Sequence, residues 1–375
     1  MNLKFQNGEF RILVLADIHG AEKELKWTFQ HIASAIEKAE PDLIVLLGDN
    51  IAGHFKGITT KKVKSTIRKI GSIFEERKFP FALVFGNHDH EGLCSLGFDE
   101  RGAKKLIMKE FQSFSVCLAA EGEEMTGVGN YNLPIFNSTG EKAVFNLWFI
   151  DSNPYADEKE GGGYGYVHSD QISWYERTSE QLKKENGGEN LPSFLFQHII
   201  VPEIYEMLLP HGRKVRGSVK GHGSHSDKFY TPNPEFIKSG SVKEGPCPPD
   251  INSGQFEALV KNGNVIAAFF GHDHVNDFSA SYKGIDIHQV PSAGFFSYGN
   301  NQGSCVITLY ENDLLNYKTE LFHCKDICEV GLHNPFIRKH GYQRWDTQIK
   351  PVVASSLAVA GAIAVLTGIK KIICR

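Results

Sequence analysis

The 375-residue sequence predicts an α/β protein with an α+β tendency: a mostly parallel sheet, with a second sheet of antiparallel strands packed on it. Three observations lead there. Short apolar runs of strand length alternate with helix-period segments over the first hundred residues, the pattern of right-handed βαβ crossovers. From about residue 278 the runs follow one another across tight turns, as antiparallel strands do. The runs that read as buried on both faces end in Asp, Asn or His, three of them after a glycine, so polar chemistry collects at the rim where open α/β sheets bind ligands.

Residues 11–16 (RILVLA) form the first run, and 22–38 then place Leu25, Phe29, Ile32, Ala33 and Ile36 on one helical face. The second strand, 42–47 (DLIVLL), follows Pro41. The pattern repeats in 63–77, through Val63, Ile67, Ile70 and Phe74, before a third strand at 81–85 (FALVF), a run too short for a buried helix. Residues 100–114 read as another helix, and strands at 129–136 and 143–151 flank the turn signal Asn137-Ser138-Thr139-Gly140. The glycine-rich stretch 161–165 carries neither a Walker nor a dinucleotide fingerprint and reads as a flexible rim of the site at most.

A helix at 171–184 and a run at 193–197 follow. Periodicity then breaks over 211–251, a segment rich in Gly, Pro, Ser and Lys, and long loops inside domains are commonly functional, so a substrate-facing cap is expected. After the run 265–270 (VIAAFF), strands at 278–282, 285–290, 304–310 and 314–322 are expected to complete the second sheet. The expected organisation is one domain over 1–335, a linker over 336–350 and an apolar C-terminal segment over 351–375.

Chemistry sits at the ends of the runs. The first ends in Asp17-Ile18-His19, the second in Gly48-Asp49-Asn50, the third in Gly86-Asn87-His88-Asp89, the run 193–197 in His198, and the run 265–270 in Gly271-His272-Asp273-His274. One such residue alone is more commonly a loop cap than a ligand. Five sets in one chain point to a metal centre, and carboxylates with imidazoles and no required thiolate suit Mn, Fe or Zn rather than Ca or Mg alone. His222 and His225, in the polar segment 211–251, read as solvated groups, with phosphate contact the alternative.

Composition narrows the class. A formal charge of −4 shows no overall basic bias and no clear nucleic-acid surface. Seven scattered cysteines fit a reducing compartment, and Cys324 and Cys328, near His323 and His333, read as ordinary thiols rather than a zinc site. No secretory signal stands at the N-terminus, so a cytoplasmic protein is expected. Residues 352–369 carry no charge and are flanked by Lys350, Lys370 and Lys371; as a helix they span about 27 Å, so membrane contact through an anchor is expected, with an Ala/Gly-rich helix packed on protein as the alternative.

The order DxH, GDN, GNHD, a lone His, then GHDH resembles the calcineurin-like metallophosphoesterase superfamily over roughly residues 10–310. The stretch GHDHVNDF further resembles the branch of purple acid phosphatase 29-like and Dcr2-like phosphatases. The resemblance implies a four-layer αββα sandwich of two mixed β-sheets flanked by helices, two divalent or mixed-valence metal ions (Mn, Fe or Zn), and a phosphate ester substrate, small molecule or phosphoprotein. It implies most directly a phosphatase, with a phosphodiesterase or nuclease on the same metal core as the alternative and a non-catalytic scaffold more remote.

By the same resemblance, Asp17, His19 and His274 would hold the first ion and Asn87, His198 and His272 the second. Asp49 would bridge both, a bridging hydroxide would be the nucleophile, and His88 would be the catalytic histidine, with Asp89 orienting it. Asn276 and Asp277, close behind the last of these residues, read as groups that accept from the ring N–H of His274 or His272, with an ordinary turn residue the alternative for Asp277. Purple acid phosphatases have a tyrosine three residues after the bridging aspartate and no histidine in the first motif. Here those positions are Ala52 and His19, which implies a site without a tyrosinate-to-iron absorption band.

Overall fold

The computed structural model describes residues 2–21 and 25–328. Its layering follows from strict alternation of apolar side chains. Along Ala143–Phe149, Phe145, Leu147 and Phe149 enter one core while Trp148 enters the other; Phe194 and Phe196 oppose Leu195, and Ala267 and Phe269 oppose Ala268 and Phe270, in the same way. Neighbouring side chains on a strand point to opposite faces, so these strands must be covered on both sides.

They form the middle of an eight-stranded mixed sheet. Its order is Leu3–Lys4, Tyr131–Phe136, Ala143–Phe149, Ser193–Phe196, Val265–Phe270, Ile285–Gln289, Ser279–Tyr282 and Ile237–Ser239. A five-stranded sheet shares one of its cores, in the order Asp313–His323, Gly303–Tyr310, Glu9–Leu15, Leu43–Leu47 and Phe81–Val84, the last three parallel. Helices Leu25–Ala39 and Thr60–Arg77 pack on the smaller sheet through Ile32, Ile36, Val63, Ile67 and Phe74. Helices Ser169–Glu185 and Gln255–Asn262 close the other side of the larger sheet through Trp174, Tyr175, Phe256 and Leu259. The architecture is the four-layer αββα sandwich.

Local signals set the ends of these elements. The Thr59 hydroxyl accepts from the Lys62 N–H at 3.2 Å and starts helix Thr60–Arg77, which stops at Lys78 in the left-handed conformation. At the turn after Tyr131–Phe136, the Asn137 side-chain oxygen accepts from the backbone N–H of Glu141 and Lys142.

Two expectations are corrected. The strands after residue 278 do not build one sheet: Ile285–Gln289 runs parallel to Val265–Phe270, whereas Gly303–Tyr310 runs antiparallel to Glu9–Leu15 and so completes the sheet that the N-terminus began. Alternation marks a strand, but its neighbour is chosen by long-range burial. Nor is 211–251 simply irregular. Leu208–His211, Phe229–Pro232 and Val219–Lys220 make a small antiparallel sheet, and Ile237–Ser239 extends the edge of the large one.

The expected linker and C-terminal segment, including 352–369, lie outside the described residues. Among the described residues no helix is long and apolar enough to cross a membrane.

Candidate metal centre

The strands that precede the predicted site residues run parallel within their own sheets, and their C-terminal loops converge at one rim. The convergence is tight enough to force unusual backbone. Asp17 (φ 51°), His19 (φ 45°), Asp49 (φ 49°) and His272 (φ 74°) are all left-handed, a region that non-glycine residues seldom enter. Strain of this kind gathers where a site over-determines the backbone. Two glycines permit the approach: a Cβ on Gly48 would collide with the His198 ring, and one on Gly86 with the Asp49 carboxylate.

Asp17, His19, Asp49 and His274 form one group of potential ligands, and Asp49, His198 and His272 a second; within each group the ligating atoms lie within 4.8 Å of one another. Asp49 belongs to both. His19 Nε2 is 3.1 Å from His274 Nε2 and 3.5 Å from Asp49 Oδ2, while His274 Nε2 is 3.4 Å from Asp17 Oδ1 and His198 Nε2 is 3.4 Å from Asp49 Oδ2. Donors bound to one metal at about 2.0–2.2 Å stand about 3–3.5 Å apart, so this spacing suits shared cations.

The hydrogen-bond inventory tests the fit. Asp17 Oδ1, Asp49 Oδ2, Asn87 Oδ1, His198 Nε2 and His272 Nε2 are buried with no hydrogen-bond partner. Each such atom costs roughly 1–3 kcal/mol if nothing satisfies it. Four of these atoms belong to the two groups and the fifth to the loop whose His88 N–H holds Asp49, so the donor set fits a dinuclear metal centre.

The charge states of Asp49, His19 and His272 agree with that fit. At His198, by contrast, burial lowers the ring but the carboxylates of Asp49 and Asp17 outweigh it and raise it to about 10, so a cation there would have to displace a proton. Burial pushes the Asp49 carboxyl up, but the imidazoles of His198, His19 and His88 outweigh it and hold it well below the usual carboxylate range. Burial drives the His19 and His272 rings down to about 4 and about 3, which keeps them neutral and free to ligate. His198 directs Nδ1 at the Leu47 carbonyl, 2.9 Å away, leaving Nε2 to face Asp49 and Asp17.

His88 stands at the mouth of this group. Its backbone N–H donates to Asp49 Oδ1 at 2.8 Å, and its ring Nδ1 is 2.8 Å from Glu91 Oε2. Burial pulls the His88 imidazolium down, but the Glu91 hydrogen bond and the charges of Asp49 and Glu91 prevail and raise its pKa to about 9. Together with His19, Ala52, His54, Glu91 and Tyr298, His88 lines an open cleft of about 230 Å³.

Asp89, expected to orient His88, has another role. Its Oδ1 accepts from the Ile51 N–H at 2.9 Å, and its Oδ2 from the Gly86 N–H at 2.8 Å and Asn50 Nδ2 at 3.3 Å, so it joins two ligand loops. With both oxygens committed to donors that need an acceptor, Asp89 is not the residue on the His88 ring. Asn276 and Asp277 are likewise turned from the histidines. Asn276 Oδ1 accepts from the backbone N–H of Lys243 and Glu244, and Asp277 Oδ1 from that of Ser241.

Several neighbours of the site escaped sequence reading. The glycine-rich stretch itself carries Tyr164, whose ring meets that of His272 edge-on at 4.4 Å, and Tyr155 before it places its hydroxyl on Glu91 and Asn87. Tyr298 stacks on His274 at 4.4 Å. Glu91 alone had a signal, its i,i+3 spacing from His88 at the start of helix Glu91–Cys94. Residues 211–251 are not among those that line the cleft but support it from two sides: Glu244 accepts from the Tyr298 hydroxyl at 2.7 Å, and His222 lies 5.4 Å from the Tyr164 ring beside His272. Cys324 and Cys328 place their sulfurs 3.0 Å apart, and His323 turns to Asp277 instead.

A family model described as calcineurin-like phosphoesterase matches residues 10–276. The chain is 30% identical over 325 residues to the probable inactive purple acid phosphatase 29 of Arabidopsis thaliana, across 78% of this chain and 74% of that protein. It is 27% identical over 289 residues to phosphatase DCR2 of Saccharomyces cerevisiae, across 72% of this chain and 45% of that protein. A dimetal phosphatase from Danio rerio aligns at 12% identity with a TM-score of 0.47, over 84% of this chain and 96% of that one.

Proposed function

This chain belongs to the calcineurin-like phosphoesterase family, in the branch of the purple acid phosphatase-like and Dcr2 phosphatases, and from that premise we propose that it is an active dinuclear-metal hydrolase of phosphoric esters, a phosphatase. The observation that carries the reading is the set of five buried donor atoms with no partner. A relative is named probable inactive, but a chain that had abandoned the chemistry would have no reason to keep strained backbone and unsatisfied donors at one spot.

In this reading Asp17, His19 and His274 hold one ion, Asn87, His198 and His272 the other, and Asp49 lies between them. Manganese, iron or zinc suits these donors. When bound, such a pair supplies a water acidified toward neutral pH and neutralises the phosphoryl oxygens. The remaining work falls to the protein. His88, in the cleft with Nδ1 occupied by Glu91, has its other ring nitrogen available to protonate the leaving oxygen. Ala52 leaves open the place that a tyrosine fills in purple acid phosphatases.

The test is turnover of p-nitrophenyl phosphate, its bis ester and single-stranded DNA by the Mn²⁺-loaded chain. We expect the monoester to be preferred, whereas marked preference for the diester or DNA would replace the phosphatase reading with a phosphodiesterase or nuclease.

A further inference from the structure

We infer that Glu91 is the positioning residue of this site: one carboxylate oxygen fixes the His88 ring for proton donation, and the other, through Tyr155, fixes the amide of Asn87. The inference rests on the phosphoesterase reading. It assigns to an unpredicted residue the role expected of Asp89.

The geometry is specific. Glu91 Oε2 lies 2.8 Å from His88 Nδ1, while Oε1 accepts from the Tyr155 hydroxyl at 2.8 Å. That hydroxyl in turn accepts from Asn87 Nδ2 at 3.2 Å. An amide whose nitrogen must face a hydroxyl has only its oxygen left for the opposite direction, and Asn87 Oδ1 is buried without a partner. One carboxylate thus sets both the acid and the amide ligand.

Two further observations show that the fold makes room for this arrangement. The Glu91 N–H donates to the His88 carbonyl at 3.3 Å, so both side chains leave one turn on the same side. Across the cleft, a Cβ on Gly53 would collide with Glu91 Oε2. The Glu91 side chain is only 18% exposed, so its charge acts on His88 with little screening.

The step balances simply. The bond between phosphorus and the leaving oxygen breaks, that oxygen takes the proton from His88 Nε2, and the oxygen of water takes its place on phosphorus with one of its hydrogens, the other passing to solvent. His88 ends this step neutral, with its Nδ1–H still on Glu91, and is reprotonated from solvent for the next turnover.

A leaving group that needs a proton should therefore feel the loss of Glu91, and one that does not should be nearly indifferent. In the Mn²⁺-loaded full chain, Glu91→Gln is expected to lower kcat on phosphoserine by about 10²-fold and on p-nitrophenyl phosphate by less than about 10-fold. Two metals per chain and the thermal midpoint should be kept. Glu91→Asp, which retains the charge, should recover at least about tenfold of the phosphoserine rate. Tyr155→Phe should leave the ratio between substrates unchanged and release metal at a lower chelator concentration. Equal slowing of both substrates by Glu91→Gln, or slowing of neither, overturns the role of Glu91 while leaving the phosphatase standing; a wild-type chain that binds no metal and turns over neither ester overturns both.

Discussion

The loops 86–91 and 271–277 each carry an acid directly after a site histidine, and the two acids are used differently. Asp89 takes its donors from Gly86, Asn50 and Ile51, all within the ligand loops of the smaller sheet. Asp273 takes the Cys247 N–H at 3.2 Å and Asn276 Nδ2 at 3.4 Å, and Asn276 and Asp277 add contacts to Ser241, Lys243 and Glu244. One half of the site braces itself. The other is braced by 241–247, a segment with little regular structure of its own. Identical local grammar, a histidine and then an aspartate, therefore says that an acid will hold backbone but not which backbone.

Asp49 is the group common to both halves, and its loss should give the largest effect. Asp49→Asn is expected to strip both metals and cut turnover by on the order of 10³-fold, about 4 kcal/mol of transition-state stabilisation. Retention of one metal, seen by elemental analysis, would mean that the halves bind separately and would sharpen the contrast into independence.

Next come the two braces themselves. Asp89→Ala leaves two backbone N–H groups without an acceptor and should destabilise the fold by roughly 2–4 kcal/mol in urea unfolding, whereas Asp273→Ala, which orphans one, should cost roughly 1–2 kcal/mol. Equal losses would erase the distinction drawn between the loops. Asn276→Ala frees two N–H groups, but Lys243 is exposed and Glu244 half-buried, so water can replace the lost acceptor; the cost should be milder, about 1 kcal/mol, and be felt as faster amide hydrogen exchange confined to 241–247. The smallest change is optical. An iron-loaded chain should lack strong purple absorbance because Ala52 offers no phenolate, and Ala52→Tyr should add a visible band with the metal count unchanged.

Much of the site was legible because strand-end chemistry is written locally. The apolar runs before Asp17, Asp49, Asn87, His198 and His272 can be read without knowing their partners, and the structure gathers Asp17, His19, Asp49, His198, His272 and His274 into two groups that share Asp49. What could not be read is whatever depends on a distant partner. Asp89 beside His88 in sequence looked like its orienter, yet its acceptors were owed to Ile51 and Gly86. The strands Ile285–Gln289 and Gly303–Tyr310 look alike in alternation but join different sheets, because the pleat records which faces are buried and not which neighbour buries them. Tyr155 and Tyr298 carried no periodic signal, being loop residues whose rings act at a distance.

The way the smaller sheet is finished also bears on how this protein comes off the ribosome. Strand Gly303–Tyr310 inserts between Glu9–Leu15 and Asp313–His323, and the Ala293 N–H and Ser292 hydroxyl grip the carbonyls of Ala16 and Asp17. A nascent chain released only as far as residue 276 would possess every ligand and still leave Asp17 on a naked edge strand. The loop that carries Asp17 and His19 therefore takes its final shape only once the strand Gly303–Tyr310 has joined the sheet, so the first and last thirds of the chain must meet before this rim is complete.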